Sequence, residues 1–213
     1  MRICGMDEAG RGPVAGPLVA AAVVVDEASP ELDARDGKTI AAKKRLVWAE
    51  RLRGEVDQVE YALISVEEIN EHGLGWANKE VFRRLIEKID ADQYIVDGNL
   101  KFGDMLGEKG ARVQCVVRAD QHIKVVSAAS ILAKTHRDQL MLALHEQYPD
   151  YAWQQNKGYP TRAHIQALNR LGPTPYHRDK AYSTVKKNLD AGAPPITNPS
   201  NLPRQMRLPI ELG

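Results

Sequence analysis

The sequence predicts an α/β domain built on one mixed β-sheet. Apolar runs at residues 3–6 and 18–25, joined by a Gly/Pro-rich turn, indicate two strands, and the alternating segment 56–65 indicates a third antiparallel to them. Farther along the chain, helical patterns alternate with short apolar runs at residues 94–96 and 113–117. That alternation is typical of an α/β sheet with helices packed around it.

Several segments carry helix signals. A basic amphipathic helix is expected over residues 40–55, and Ser65 followed by Glu68 forms a capping box that opens a short helix ended by Gly73. Apolar residues on one face predict a further helix that runs to Ile89. Longer patterns predict helices over residues 125–148, 161–171 and 183–189, which gives the domain a helical C-terminal part.

Composition divides the 213 residues into a domain and a tail. Five of the chain's twelve prolines fall after residue 190, among Asn, Thr and Ser. Such a segment buries too little apolar surface to fold alone. We therefore expect a domain over residues 1–190 and a flexible Pro-rich tail over residues 191–213.

Cysteine content and hydropathy indicate in which cellular compartment the protein works. Cys4 and Cys115 are the two cysteines, which excludes a disulfide framework and a four-cysteine zinc site. The longest apolar stretch, residues 18–25, is far too short to span a bilayer, and no basic-then-apolar leader precedes it. We expect a cytoplasmic protein.

Charge is distributed in opposed blocks although the net charge is only +1. Residues 34–54 and residues 151–190 each hold seven Lys/Arg against two Asp/Glu, whereas residues 55–110 hold six against thirteen. Two basic blocks suit contact with a phosphate backbone. The alternative, that these cations lie on solvated helix faces, remains open on charge alone.

Carboxylates follow or end three of the apolar runs. Asp7 and Glu8 end the first run directly before Gly10, Asp97 ends another, and Asp120 ends a third. Each alone is ordinary turn chemistry, but the carboxyl edge of an α/β sheet is where sites form. Four carboxylates gathered there repel one another unless hard cations such as Mg²⁺ bind between them. The sequence thus favours an oxygen-ligand metal site.

Five ordered motifs resemble the ribonuclease HII family, the type 2 ribonucleases H, over roughly residues 1–190. They are Asp-Glu-Ala-Gly-Arg-Gly-Pro at 7–13, Val-Asp-Gly-Asn at 96–99, Ala-Asp at 119–120, Val-Val-Ser-Ala-Ala-Ser-Ile-Leu-Ala-Lys at 125–134 and Lys-Gly-Tyr-Pro-Thr-Arg-Ala-His at 157–164. The resemblance implies the ribonuclease H-like fold, a mixed five-stranded sheet flanked by helices. That fold agrees with the strands and helices predicted above from the residue pattern.

The resemblance also implies an activity: endonucleolytic hydrolysis of the RNA strand of RNA/DNA hybrids, and cutting 5′ to single ribonucleotides embedded in duplex DNA. Asp7, Glu8, Asp97 and Asp120 match the family's catalytic and metal-binding carboxylates, which hold two Mg²⁺ or Mn²⁺ ions. In that scheme two ions clamp the attacking and leaving oxygens at phosphorus. The products are a 5′-phosphate and a 3′-hydroxyl.

Substrate choice in the family rests on a Gly-Arg-Gly turn, here Gly10, Arg11 and Gly12, and on a tyrosine matched by Tyr159. A 2′-hydroxyl is the group that separates RNA from DNA, and glycine lets the main chain approach a sugar closely. A turn residue packed before a helix explains Tyr159 equally well on sequence alone. Phosphate contacts are expected from four further residues: Lys38, Lys157, Arg162 and His164.

Other positions have two interpretations or depart from the family. Lys134 either neutralises the acidic cluster or snorkels to the surface, and Arg137 with Asp138 matches the family but also fits a helix-face ion pair. Residues 36–40 read Asp-Gly-Lys-Thr-Ile where many members have Asp-Ser-Lys-Lys-Leu. Residues 177–181 read His-Arg-Asp-Lys-Ala instead of His-Arg-Arg-Ser-Phe. Both departures concern affinity for substrate more than chemistry.

The tail ends in a segment that resembles peptides which bind the bacterial sliding clamp. Gln205, Leu208 and Ile210 supply the glutamine and spaced apolar anchors within residues 205–210. Capture of such a peptide in an apolar groove would raise the enzyme's effective concentration at replicated DNA. A terminus without a partner is the alternative.

Two other functions remain compatible with these residues. One is a junction-resolving nuclease of the same fold, which would still cut when the scissile position is 2′-deoxy. The other is a non-catalytic, clamp-associated protein that binds RNA/DNA hybrids, and the complete carboxylate set argues against it.

Overall fold

Five strands form one mixed sheet in the order β3–β2–β1–β4–β5. The computed structural model describes residues 1–26, 32, 42–179, 183 and 187. Strand β1 pairs antiparallel with β2, and β2 pairs antiparallel with β3, whereas β1–β4 and β4–β5 are parallel. The strands are β1 (Arg2–Ala9), β2 (Leu18–Asp26), β3 (Gln58–Ile64), β4 (Gln93–Asp97) and β5 (Val113–Val116). The mixed α/β sheet expected from the sequence is confirmed.

Helices connect and cover the strands. In chain order they are α1 (Ala42–Glu55), α2 (Val66–His72), α3 (Leu74–Lys88), α4 (Ala119–His122), α5 (Lys124–Gln147), α6 (Trp153–Asn156) and α7 (Arg162–Leu171), with 3-10 segments at Gly103–Arg112 and Pro149–Tyr151. The predicted capping box is present: the Ser65 hydroxyl accepts from the Glu68 N–H, and the Glu68 carboxylate accepts from the Ser65 N–H. Its two hydrogen bonds fix where α2 begins.

The helices predicted before residue 172 are found within a few residues of their expected ends. The helix expected over residues 183–189 lies outside the described residues, apart from Ser183 and Lys187. The tail over residues 191–213 lies wholly outside them. The division into a domain and a tail therefore stays a prediction.

Strand β2 is buried on both faces, as its unbroken apolar run suggested. Ala20, Ala22 and Val24 face a core shared with α3, whereas Ala21 and Val23 face a second core shared with α1 and α5. The sheet therefore lies between two helical layers. Both apolar cores run the width of the central strands and hold their carboxyl ends in place.

Helix α5 lies unusually close to the middle of β1 because Gly5 has no side chain. A Cβ built on Gly5 would lie 2.6 Å from the backbone carbon of Val125 and 2.7 Å from the backbone nitrogen of Val126. Any larger residue would push the first turn of α5 away from the sheet. This close packing brings the polar face of α5 beside the end of β1.

A third apolar cluster supports the helical C-terminal part. Tyr151 and Trp153 are buried in it, with Met141 of α5 and Leu168 of α7. Val14, from the segment after β1, packs into the same cluster. The third cluster thereby ties the turn that follows β1 to α6 and α7. Among the described helices, none has the length and hydropathy needed to cross a membrane.

Candidate active site

The register of two parallel strands brings Asp7 and Asp97 together. Met6 of β1 is the partner of Val96 of β4, and the parallel pairing stops there, so the next residue on each strand is an aspartate. Strand β1 nevertheless continues to Ala9 by pairing with β2. We expected Asp7 and Glu8 at the end of the strand, and β1 runs one residue beyond them. They lie inside it, just past its contact with β4, where the strands diverge and leave space.

Asp120 reaches the same edge from a short helix. We expected it at the end of a strand, but β5 ends at Val116, and Asp120 lies in the first turn of α4. Its backbone N–H donates to Oδ1 of Asp97 at 3.5 Å, and its carbonyl accepts from the Ser127 hydroxyl of α5. Asp120 is 1% exposed, which places this carboxylate behind Asp97.

A cavity of about 380 Å³ opens at this edge of the sheet. Its walls come from four parts of the chain: the end of β1 with the glycine-rich turn, the end of β4, one face of α5, and Tyr159. The lining residues are Asp7, Glu8, Ala9, Gly10, Arg11, Gly12, Asp97, Ser130, Lys134, Arg137, Asp138 and Tyr159. Three of the four predicted carboxylates thus line one cavity, and Asp120 lies next to the third.

Burial and like charge act together on Asp7. Burial is the larger cause and the charges of Glu8 and Asp97 add to it, raising the pKa of Asp7 from 3.8 to about 8. A hydrogen bond from Ser130 and one of 2.8 Å from the Glu8 N–H oppose this rise. At neutral pH this carboxyl resists ionisation, because no adjacent cation compensates for its loss of water.

Glu8 experiences the same environment with one added partner. Burial raises the pKa of Glu8, and Asp97 contributes in the same direction. The Arg11 guanidinium, 3.5 Å from Oε1 of Glu8, lowers it. Because the Arg11 side chain is 60% exposed, solvent screens this ion pair and the acidic cluster keeps an excess of negative charge.

The donors at this edge fit hard divalent cations by their chemistry. All four are carboxylates, and the described part of the chain has no cysteine or histidine among the cavity's lining residues. As the side chains stand, no three His, Cys, Asp or Glu residues in the described ranges are arranged to hold one metal ion. Burial, together with the charges of Glu8 and Asp97, raises the pKa of Asp7, which shows the cost of gathering carboxylates at this edge. Mg²⁺ or Mn²⁺ prefers oxygen ligands of this kind.

Two buried arginines hold the glycine-rich turn from behind. Arg137 of α5 donates to the carbonyls of Pro17, Ala15 and Lys157, each at 3.0 Å. Arg178, which is fully buried, donates to the carbonyl of Gly16 through two nitrogens at 2.8 and 2.6 Å, and to that of Pro13 at 3.1 Å. The planar guanidinium fork suits such multiple contacts.

Tyr159 faces the glycine-rich turn across the cavity mouth. Its side chain is 43% exposed, and its ring lies against Gly12, where a Cβ would come within 3.2 Å of Cε1. Gly10 has φ 107°, a conformation that favours glycine, and a Cβ there would collide with Arg137. Gly12 is therefore exposed beside the Tyr159 ring, whereas Gly10 is buried against Arg137.

The expected phosphate contacts have different outcomes. The expectation for His164 is wrong: its ring is fully buried, so it cannot reach a phosphate. Lys157 is half-buried and its ammonium donates to the carbonyl of Gln154, while Arg162 is exposed in the first turn of α7. Lys38 lies outside the described residues, as do Gln205, Leu208 and Ile210.

The basic blocks also contain buried structural residues. Arg45 is 8% exposed and pairs with Asp138 at 2.7 Å, and Arg178 holds the turn. Lys134 lies 3.7 Å from the same Asp138, and burial lowers its pKa. Because both are buried, Arg45 and Arg178 neither lie on a solvated helix face nor contact a phosphate.

Helix α5 contributes more side chains to the cavity than the sequence motifs indicated. Polar residues recur along it at positions 130, 134, 137 and 138, a spacing that places them on one helix face. In a helix otherwise rich in Ala, Ile and Leu, that stripe was the available signal for Ser130 and Arg137. Arg178 gave no such signal, because its partners are backbone carbonyls distant in sequence.

The sheet order, the carboxylate edge and the cavity define an enzyme of the ribonuclease H-like fold. A solved ribonuclease H2 from Pyrococcus horikoshii superposes with a TM-score of 0.77 at 27% identity, covering 90% of this chain and 98% of that one. A chain in the PCNA:RNase HII complex from Archaeoglobus fulgidus gives a TM-score of 0.66 at 27% identity, with 79% and 85% covered.

Sequence comparison gives the family. The profile of the family described as Ribonuclease HII matches residues 4–186. A relative from Chromohalobacter salexigens, named Ribonuclease HII, is 42% identical over 188 residues, which are 87% of this chain and 91% of the relative. The chain belongs to the ribonuclease HII family, and it is a ribonuclease H of the endonuclease type.

Proposed function

We propose that the protein hydrolyses the RNA strand of RNA/DNA hybrids and also cuts 5′ to single ribonucleotides within duplex DNA. Family membership supports the first activity. The observation that carries the second is the cavity mouth, where the exposed phenol of Tyr159 faces the uncovered main chain of Gly12. To recognise a single ribonucleotide, the protein has to contact only one ribose, and the cavity mouth between Tyr159 and Gly12 has room for one.

The four carboxylates would hold two Mg²⁺ or Mn²⁺ ions: Asp7, Glu8 and Asp97 from inside the cavity, and Asp120 from behind Asp97. Bound there, the ions supply Lewis-acid stabilisation of the attacking and leaving oxygens at phosphorus. In this two-metal scheme the protein supplies no covalent nucleophile, and water is the attacking group. We infer 5′-phosphate and 3′-hydroxyl products.

The protein's own residues orient the substrate. The exposed backbone of Arg11 and Gly12 can approach a ribose 2′-hydroxyl, since Gly12 has no Cβ, and Gly10 gives the turn its shape. Tyr159 can donate its phenolic hydrogen to the same hydroxyl while its ring packs on the next sugar. Arg11 and Arg162 are exposed beside this path and suit phosphate contacts, which position a substrate without reading it. Lys38 remains a predicted phosphate contact.

Cleavage of matched duplexes tests this function. One duplex carries a single ribonucleotide, and its control has a 2′-deoxynucleotide at the same position. We expect cleavage 5′ to the ribonucleotide with Mg²⁺ or Mn²⁺ and none of the control. Cutting of both duplexes would indicate a junction-resolving nuclease, and cutting of neither, nor of a long hybrid, would indicate a binding protein without turnover.

Active-site variants give the matched controls. Asp97→Asn should abolish cleavage, whereas Asp104→Asn should leave it unchanged because Asp104 is an exposed carboxylate outside the cavity. Equal activity of the two variants would contradict the assignment of the carboxylates.

We also propose that residues 205–210 bind a bacterial sliding clamp. The support is the Gln205, Leu208 and Ile210 pattern, together with the Archaeoglobus fulgidus structure, a complex of PCNA with RNase HII. Clamp pull-down with the full chain and with a chain ending at residue 203 tests this. Recovery should fall sharply on truncation, and equal recovery would overturn the proposal.

A further inference from the structure

Two buried histidines lie behind Tyr159, and the proposed function gives neither a role. His164 is 0% exposed and His177 is 2% exposed. Their Nε2 atoms are 3.1 Å apart, and the indole N–H of Trp153 lies 3.0 Å from Nε2 of His164. Since neither ring reaches the cavity, any effect on substrate must pass through another residue.

The surrounding partners fix where each ring carries its hydrogen. Nδ1 of His164 is 2.8 Å from the carbonyl oxygen of Tyr159, which can only accept, so Nδ1 carries the hydrogen and donates. The backbone N–H of Thr174 donates to Nδ1 of His177 at 2.8 Å, so that nitrogen is an acceptor. The hydrogen of His177 is then on Nε2, which donates to His164. Both rings are neutral.

This hydrogen-bond chain joins the two sides of the cavity mouth. At one end His164 holds the carbonyl of Tyr159. At the other end the backbone of His177 forms an isolated antiparallel bridge with Ala15, and the N–H of Arg178 donates to the Val14 carbonyl at 2.8 Å. These hydrogen bonds thus connect the segment after the glycine-rich turn, through both imidazoles, to Tyr159.

The peptide group on each side of Tyr159 is held by a different partner. The Gly158 carbonyl accepts from the N–H of Val14 at 2.9 Å, which fixes the peptide before Tyr159. In the peptide after it, the Tyr159 carbonyl accepts from Nδ1 of His164 and from the N–H of Thr161, each at 2.8 Å. Because a Cβ on Gly12 would already lie 3.2 Å from the Tyr159 ring, a shift of a few tenths of an ångström changes this contact.

We propose that His164, supported by His177, is a positioning residue whose hydrogen bond from Nδ1 to the Tyr159 carbonyl sets the place of the Tyr159 ring over Gly12. This inference rests on the proposed function, which assigns ribose recognition to Tyr159 and to the turn. The pair would act on substrate selection through the Tyr159 backbone, and it makes no contact with substrate.

Two amide substitutions at His164 separate positioning from packing. His164→Asn places an amide N–H near the position of Nδ1 and can still donate to the Tyr159 carbonyl, whereas His164→Gln places its amide near Nε2 and loses that contact. We expect His164→Gln to lower kcat/KM on the single-ribonucleotide duplex about tenfold, since misplacement by about 1 Å can cost on the order of 10²-fold. His164→Asn should stay within about threefold of the parent, given the same principle and a smaller displacement.

A double-mutant cycle with Tyr159→Ala supplies the second readout. If His164 acts through Tyr159, adding His164→Gln to Tyr159→Ala should cause no further loss of kcat/KM. Additive losses would overturn the inference, and so would equal losses in the Asn and Gln variants. Should His164→Gln fail to fold, Thr174→Val removes the hydroxyl that lies 2.9 Å from Nδ1 of His177 and enters the same cycle with the same criterion.

Failure of this inference is distinguishable from failure of the proposed function. If Tyr159→Ala itself cleaves the single-ribonucleotide duplex as well as the parent does, the assigned role of Tyr159 is wrong. If Tyr159→Ala is impaired and His164→Gln adds its full effect, ribose recognition by Tyr159 stands and only the positioning role of the histidines is lost.

Discussion

The Tyr159 ring packs on Gly12 so closely that a methyl group on the glycine would lie 3.2 Å from Cε1 of the tyrosine. Gly12 does not have a positive φ, so the demand for glycine comes from this contact and not from backbone strain. The two residues are 147 positions apart, and their separation defines the mouth of the cavity that holds the carboxylates.

Gly12→Ala should therefore damage substrate recognition more than stability. Displacing Tyr159 by less than 1 Å is expected to lower kcat/KM on a single-ribonucleotide duplex by about 10- to 100-fold. The control is Gly54→Ala in α1, where a Cβ meets nothing within 4 Å and helix propensity should add about 0.5–1 kcal/mol. Steady-state kinetics with both variants checks the prediction, and unchanged kcat/KM for Gly12→Ala would contradict it.

Asp7→Asn should stabilise the metal-free protein while abolishing cleavage. The substitution removes a buried, repelled carboxylate whose pKa is raised to about 8, and it keeps an oxygen to accept from the Glu8 N–H. We expect a gain on the order of 1 kcal/mol, or about 2–4 °C in Tm for a domain of this size. Thermal denaturation in EDTA measures it.

With divalent metal present, the parent should be more stable than Asp7→Asn, the reverse of the order expected in EDTA. Mg²⁺ or Mn²⁺ bound to the native carboxylates stabilises the parent chain by mass action, and Asp7→Asn loses part of the effect. Asp104→Asn serves as the control and should follow the parent in both conditions. A lower Tm for Asp7→Asn in EDTA would show that the carboxylates do not repel one another.

The histidine pair predicts loss of stability in mild acid. Burial and the neighbouring His164 lower the pKa of His177 from 6.5 to about 3, and burial also lowers the pKa of His164. The unfolded chain therefore binds protons that the native state does not. The stabilising contribution is complete above about pH 6.5 and is lost as pH falls towards 3.

Comparison with a variant isolates this effect from Asp7 and Glu8, whose raised pKa values change stability with pH in the opposite sense. For the parent, the His177 contribution to the free energy of unfolding should fall by about 1.4 kcal/mol per pH unit below 6.5. His177→Gln cannot be protonated there and should lack that slope. Urea denaturation at pH 7, 6 and 5 measures the difference, and parallel curves would refute the assigned neutral state.

Arg178→Lys should destabilise the fold although it keeps the charge. An ammonium cannot span the carbonyls of Gly16 and Pro13 as the buried guanidinium does, and each lost charged hydrogen bond costs about 1.5–3 kcal/mol. The control is Arg170→Lys, whose exposed pair with Asp150 at 3.4 Å should contribute less than about 1 kcal/mol. Equal melting temperatures for the two variants would show that Arg178 is dispensable.

Periodicity and apolar runs predicted the sheet and most helix ends, because burial on one or two faces is written directly into the residue pattern. The run in β2 and the capping box at Ser65 are examples. The details around the carboxylates were harder. Asp7 remains in β1 because β2 is long enough to pair with it, and Asp120 lies in α4 because β5 stops after four residues.

Buried polar residues were the least predictable part of the site. His164 follows a motif rich in phosphate-binding residue types, yet its ring turns inward to the Tyr159 carbonyl. Arg137 and Arg178 bond to backbone carbonyls up to 167 residues away, and those partners depend on the complete tertiary fold. No local pattern in one sequence encodes such contacts.

The most direct test of the central assignment is the anomalous scattering of manganese in crystals of the protein soaked in Mn²⁺. We predict peaks bounded by the side chains of Asp7, Glu8, Asp97 and Asp120, lost in crystals of Asp97→Asn. Peaks elsewhere, or carboxylates that stay apart with no manganese between them, would contradict the account.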